Sequence, residues 1–160
     1  MSTRRATSGT DEVAALAAAL TAASRALVSV AIRSVNTAPV DITMTQFRVL
    51  TLLESRGEQT VGAIASHIAV DQSNASRLCG RLQRLGMVSR TPSAADRRSV
   101  VVGLTSTGRS LIASVDSHRR DEIGRILADL DPARIPDLLE ALTVFSDAAD
   151  AAERAVPPGS

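Results

Sequence analysis

The stretch from Thr60 to Thr105 constrains the fold more than any other part of the chain. It reads as a short helix, a turn, a second helix, and then two β-prone runs flanking an Arg-rich tip. Val61 to Ile68 has an inner face of Val61, Ile64, Ala65 and Ile68, and small Ala65 suits a tight helix crossing. Asp71 can cap the next helix, Gln72 to Leu85, by accepting the backbone N–H of Ser73 or Asn74. Leu78, Leu82 and Leu85 are its expected buried face, and Gly86 ends it. Met87 to Thr91 and Ser99 to Leu104 are strand-like; Val100, Val101 and Val102 favour extended backbone. Pro92 to Arg98 is too long for a two-residue turn and is expected to project as a wing.

Charge is concentrated on this same stretch. Between Ser73 and Arg98 stand six arginines and one acid, Asp96, a local charge of +5. The whole chain totals +1, which leaves −4 for the rest. A phosphate-binding face on an acidic scaffold has this distribution. Short polar residues at the helix start (Gln72, Ser73, Asn74, Ser76) let the backbone approach the floor of a DNA major groove. Ser73 and Asn74 can bond base edges, and Arg77 can reach a guanine edge or a phosphate. Arg81 and Arg84, further along, are expected to meet phosphates or acidic partners. Arg97 or Arg98 is the candidate for a narrow minor groove, and Asp96 for pairing with an arginine to structure the wing. Two copies related by a two-fold axis would place the reading helices about 34 Å apart, on a roughly palindromic double-stranded site.

The remaining chain is helical. Asp11 to about Val35 carries an apolar stripe through Val13, Leu16, Leu20, Leu27 and Val30, after a polar tail, Met1 to Thr10. That tail lacks the apolar core of a signal peptide. Thr21, Ser24, Arg25 and Ser29 interrupt the stripe, so no membrane-crossing segment is expected. Thr45 to Arg56 is a second helix, capped by Thr43 or Thr45 and stopped by Gly57. Thr105 caps a fifth helix, and Asp131-Pro132 opens a sixth. The apolar faces of the first and the last two helices exceed what one small lobe can cover, so a homodimer is expected. At 160 residues, 44% apolar and 22% charged, one globular domain accounts for the length.

Other chemistries find little support. No paired carboxylates or Gly-rich phosphate loop stand out, no residues remain for a catalytic domain, and no cofactor is implied. Two histidines and one cysteine show no metal-ligand spacing. Cys79, the only cysteine, cannot form an internal disulfide, which fits a reducing, cytoplasmic setting. It is expected as a half-buried packing thiol rather than a redox sensor. Phe47 and Phe145 are the only aromatics, too few to stack a single strand of nucleic acid. A winged module that binds protein, or DNA without specificity, remains an alternative to a sequence reader.

Met44-Thr45-Gln46-Phe47-Arg48-Val49-Leu50, Val61 through Val88, Asp96-Arg97-Arg98, and Leu104-Thr105 followed by Gly108 together resemble the MarR family of bacterial transcriptional regulators. The resemblance covers about residues 11–154. It implies a mainly α fold with a small β-hairpin wing, a winged helix–turn–helix with a helical dimerisation region. Residues 1–160 then form one domain, 43–105 the DNA-binding lobe, and 11–36 with 106–154 the dimerisation helices. It further implies a repressor released by a small apolar or aromatic ligand, for which Phe47, Arg48, His67 and His118 are candidate contacts.

Overall fold

The computed structural model describes residues 4–93 and 99–155. The elements run α1 (Arg4–Asn36), α2 (Met44–Arg56), β1 (Gln59–Thr60), α3 (Val61–Ile68), α4 (Gln72–Arg84), β2 (Val88–Pro92), β3 (Val100–Leu104), α5 (Ser106–Ala128), a 3-10 turn (Pro132–Arg134) and α6 (Ile135–Ala155). The chain divides into two units, residues 1–122 and 123–160.

The first unit owns the core. Phe47, Val49, Leu50 and Leu53 from α2 meet Val61, Ile64, Ala65 and Ile68 from α3. Ala75, Cys79 and Leu82 from α4, Val88 and Val102 from the sheet, and Leu111, Ile112 and Val115 from α5 complete it. The inner face of α3 is the one its spacing predicts. That of α4 is rotated: Ala75, Cys79 and Leu82 are buried, while Leu78 and Leu85 are only half-buried. Small Ala75 and Cys79 let α4 lie close to its neighbours, which the larger leucines would prevent.

Caps fix the helix starts. Thr43, not Thr45, caps α2: its hydroxyl accepts from Gln46 N–H at 3.2 Å, and Gln46 Oε1 accepts from Thr43 N–H at 2.9 Å. This reciprocal pair satisfies Gln46, which is buried. Thr60 caps α3 through Ala63 N–H at 3.2 Å. The turn after α3 passes through Ala69 in the left-handed region (φ 57°). No local signal marks that position, since a residue with a Cβ rarely adopts it.

The sheet has the order β1-β3-β2, all antiparallel. Strand β1 was not expected; two residues are too short to show a period. Val88 pairs with Leu104 and Pro92 with Val100, and Ser93 N–H donates to Ser99 O at 2.9 Å. Asp96, Arg97 and Arg98 lie outside the described residues. Thr105 ties the sheet to α5. Its hydroxyl accepts from Gly108 N–H at 3.1 Å and lies 2.7 Å from the Gly86 carbonyl. Gly108 is there because a Cβ would stand 2.3 Å from the Met87 carbonyl oxygen.

Helix α1 starts earlier than expected, at Arg4, so residues 4–10 are helical rather than a loose tail. Nothing between Arg4 and Asp11 breaks a helix except Gly9, which costs only about 1 kcal/mol. Gly9–Asn36 is also long and apolar enough, by length and composition, to cross a membrane. The hydroxyls expected to interrupt it fold back onto the helix: Thr21 donates to Ala17 O (2.7 Å), Ser24 to Thr21 O (2.8 Å) and Ser29 to Arg25 O (3.0 Å). Its C-terminal end belongs to the first unit, where Val30, Ser34 and Val35 are buried and Arg33 pairs with Glu122.

In the second unit Asp131 accepts from Ala133 N–H at 3.0 Å and opens the 3-10 turn, so α6 proper begins at Ile135. No described side chain of this unit is buried.

Candidate nucleic-acid interface

Helix α4 presents a polar edge opposite its buried stripe. Gln72, Ser73, Asn74, Arg77, Arg81 and Arg84 are exposed, and Ser76 is half-buried. The edge is organised by Asp71, the N-cap. Its Oδ1 accepts from Asn74 N–H at 2.8 Å and from the Ser73 hydroxyl at 2.5 Å. Its Oδ2 accepts from the Asn74 side-chain amide at 2.5 Å. Arg77 Nη1 in turn donates to Asn74 Oδ1 at 3.4 Å. The Ser73 hydroxyl bond, then the Asn74 backbone bond, hold the Asp71 carboxyl below its usual pKa. The carboxylate therefore stays charged and keeps both side chains oriented. With the Ser73 proton committed to Asp71, Ser73 Oγ and Asn74 Oδ1 offer acceptors, while Arg77 offers donors.

Arg81 is turned differently. Its Nη2 bonds Asp41 Oδ2 at 3.0 Å, joining α4 to the segment before α2. The acidic partner expected for Arg81 is thus intramolecular. Asn74, Arg77 and Arg81 also rim an open cavity of about 240 Å³ with Thr43 and Gln46. Sequence reasoning passed over Arg90. It lies on β2 and extends along α4, with Nη2 3.5 Å from Ser76 Oγ. Only the strand register reveals this, since Arg90 and Ser76 are 14 residues apart.

The candidate ligand contacts are dispersed. Phe47 is buried in the core, with the Arg119 guanidinium 5.9 Å from its ring centroid. Arg48, His67 and His118 are exposed on α2, α3 and α5. His67 Nδ1 lies 2.9 Å from Ala63 O, and His118 Nδ1 3.0 Å from Ser114 O, each on its own helix. Cys79 is fully rather than half buried, and burial pushes its thiol pKa up against the pull of Arg90. A buried, protonated thiol is a packing group. Among the described residues, no group of three His, Cys, Asp or Glu side chains could hold a metal ion.

Residues 42–100 match the family model described as MarR family. The HTH-type transcriptional regulator YfiV of Bacillus subtilis is 33% identical over 115 residues, spanning 72% of this chain and 72% of that protein. The chain belongs to the MarR family. Its fold agrees: the crystal structure of RV1404 from Mycobacterium tuberculosis superposes with a TM-score of 0.75 at 34% identity, covering 86% of this chain and 94% of that one. The HTH-type transcriptional repressor IacR of Pseudomonas putida is 27% identical over 105 residues, 66% of this chain and 63% of that protein. This MarR-family chain is a DNA-binding transcriptional regulator with a winged helix–turn–helix fold. Proteins of the family bind DNA, usually as dimers.

Proposed function

We propose that this protein is a sequence-specific, homodimeric repressor that reads a pseudo-palindromic double-stranded operator and is released by a small ligand. The observation that carries the reading is the exposed edge of α4, pre-set by Asp71 so that Ser73 and Asn74 offer acceptors beside the Arg77 donors. In the major groove such acceptors meet the exocyclic amines of adenine or cytosine, and Arg77 meets guanine or a phosphate. Gln72 and Ser76 flank them, and Arg81 meets phosphate once released from Asp41. Arg97 or Arg98 enters the minor groove beside the wing, with Asp96 bracing the loop. These wing roles rest on the sequence alone.

Residues 43–105 form the reading lobe in this proposal, and residues 11–36 and 106–154 the dimerisation helices. Repression is supported by the likeness to IacR. The effector is a small apolar or aromatic compound; of the candidate contacts Arg48, His67 and His118 are exposed and open to it, whereas Phe47 is buried in the core. The protein acts in the cytoplasm.

Selection of bound sequences from a random duplex pool, with and without candidate ligands, tests all of this together. A symmetric consensus is the expected result. Near-equal binding of all duplexes would instead mark an architectural binder. Arg77→Ala should cost about 1–3 kcal/mol in operator binding and relax one base position per half-site. Unchanged affinity in that variant removes Arg77 from the interface.

A further inference from the structure

An open cavity of about 220 Å³ lies between the start of α3, the flank of α4 and the two wing strands. Thr60, Gly62, Gln72, Ser76, Arg90 and Ser99 line it, and no carboxylate is among its described lining residues. Arg90 shares a sheet face with buried Val88 and is paired across the strands with buried Val102. Its side chain must therefore run along the sheet and surface at the edge. There it passes Gly80, where a Cβ would stand 3.6 Å from Nη1, and ends beside Ser76. Its bond to Ser76, at 3.5 Å, is at the limit of hydrogen bonding and engages a single N–H of the guanidinium fork. Across the cavity, Gly62 sits in the first turn of α3, where backbone N–H groups have no partner within the helix. A Cβ at Gly62 would meet nothing within 4 Å.

A half-buried arginine, a helix start, hydroxyls and an amide thus converge on one open space, with no acid among the described residues that line it. We propose that Arg90 anchors a DNA backbone phosphate in this cavity, on the strand that passes between α4 and the wing. The inference rests on α4 reading DNA. Given that, it assigns Arg90 to placing the lobe on the duplex, a role distinct from base reading. The seat is sequence-blind, because every nucleotide carries the same phosphate.

The test uses the full-length protein, an operator recovered from the random pool, and binding measured across a salt series. Arg90→Gln keeps a hydrogen-bonding side chain, though a shorter one, and removes the charge. It should weaken binding roughly tenfold, as expected for one lost charge-assisted bond. The log–log salt slope should fall by about 0.9 for each phosphate no longer neutralised. The preferred sequence should stay the same. Gly62→Asp places a carboxylate in the seat at a position open to a side chain, in a helix turn that favours acids. It should keep the melting temperature and weaken binding at least as much, so it decides the matter if Arg90→Gln fails to fold. An unchanged salt slope in a folded variant, or an altered base preference in Arg90→Gln, overturns the assignment. Arg77→Ala measured in parallel separates the two claims. If Arg77 matters and Arg90 does not, only the phosphate seat is lost; if neither matters, α4 is not the reading element.

Discussion

Leu50 of α2 and Leu139 of α6 are the same side chain in the same kind of helix, yet Leu50 is 0% exposed and Leu139 66%. The contrast holds across the molecule. Among the described residues, every exposed large hydrophobic lies either in α1 (Val13, Leu16, Leu27, Val28, Ile32) or between Ile126 and Phe145. The lobe from Ile42 to Val115 has none. The lobe satisfies its apolar surface within one chain. The flanking helices do not, and each such side chain forgoes about 1.5–3 kcal/mol of burial. The lobe therefore carries its own stability, while the flanking helices carry the apolar surface that the proposed dimer would cover.

The comparison can be broken most forcefully from the helical side. Replacing Leu142 and Phe145 together by Asp should leave the lobe folded but turn the proposed dimer into monomers. Operator affinity should then fall by roughly 10²–10⁴, the advantage of linked binding. Sedimentation and duplex titration measure both, and a variant that stays dimeric places the interface elsewhere. In the lobe, Leu50→Ala should cost about 2–5 kcal/mol in urea unfolding, whereas Leu139→Ala should leave the lobe's transition in place and weaken association only. Gly108→Ala should cost about 1–3 kcal/mol, because the methyl must displace the Met87 carbonyl. A lobe as stable as the parent would show that α5 can shift away from the sheet.

The smallest effect concerns acid. Asp71 has a folded-state pKa below its unfolded one, so its capping contribution is fully present above the unfolded pKa and fades as pH falls through the folded value. Asp71→Asn caps without titrating. Melting temperatures of the parent and this variant should converge as the pH drops, and a constant gap would mean that Asp71 does not titrate with folding.

Much of the lobe was legible because its signals are local. Thr43 (one of two candidates), Asp71 and Thr105 cap where their chemistry predicts, within three residues of what they bond. The buried stripe of α4 was misread because apolar size was weighed above closeness: Ala75 and Cys79 are small, and packing chose them over Leu78 and Leu85. Strand β1 escaped notice because its two residues are strands only by pairing with Val101 and Val102. The polar-edge residues of α4 were visible as a cluster, but the role of Asp71 in orienting both Ser73 and Asn74 was not.

By itself the order of residues determined the helices, the turn between α3 and α4, the hairpin and the basic character of the DNA-facing stretch. Each depends on neighbours a few positions apart, and short-range sterics and hydrogen bonding act at that distance. Tertiary structure alone decided that Arg81 answers to Asp41, 40 residues away, and that Arg90 emerges beside Ser76. Those pairings follow from helix crossings and strand register, which the whole core sets at once and no single segment encodes.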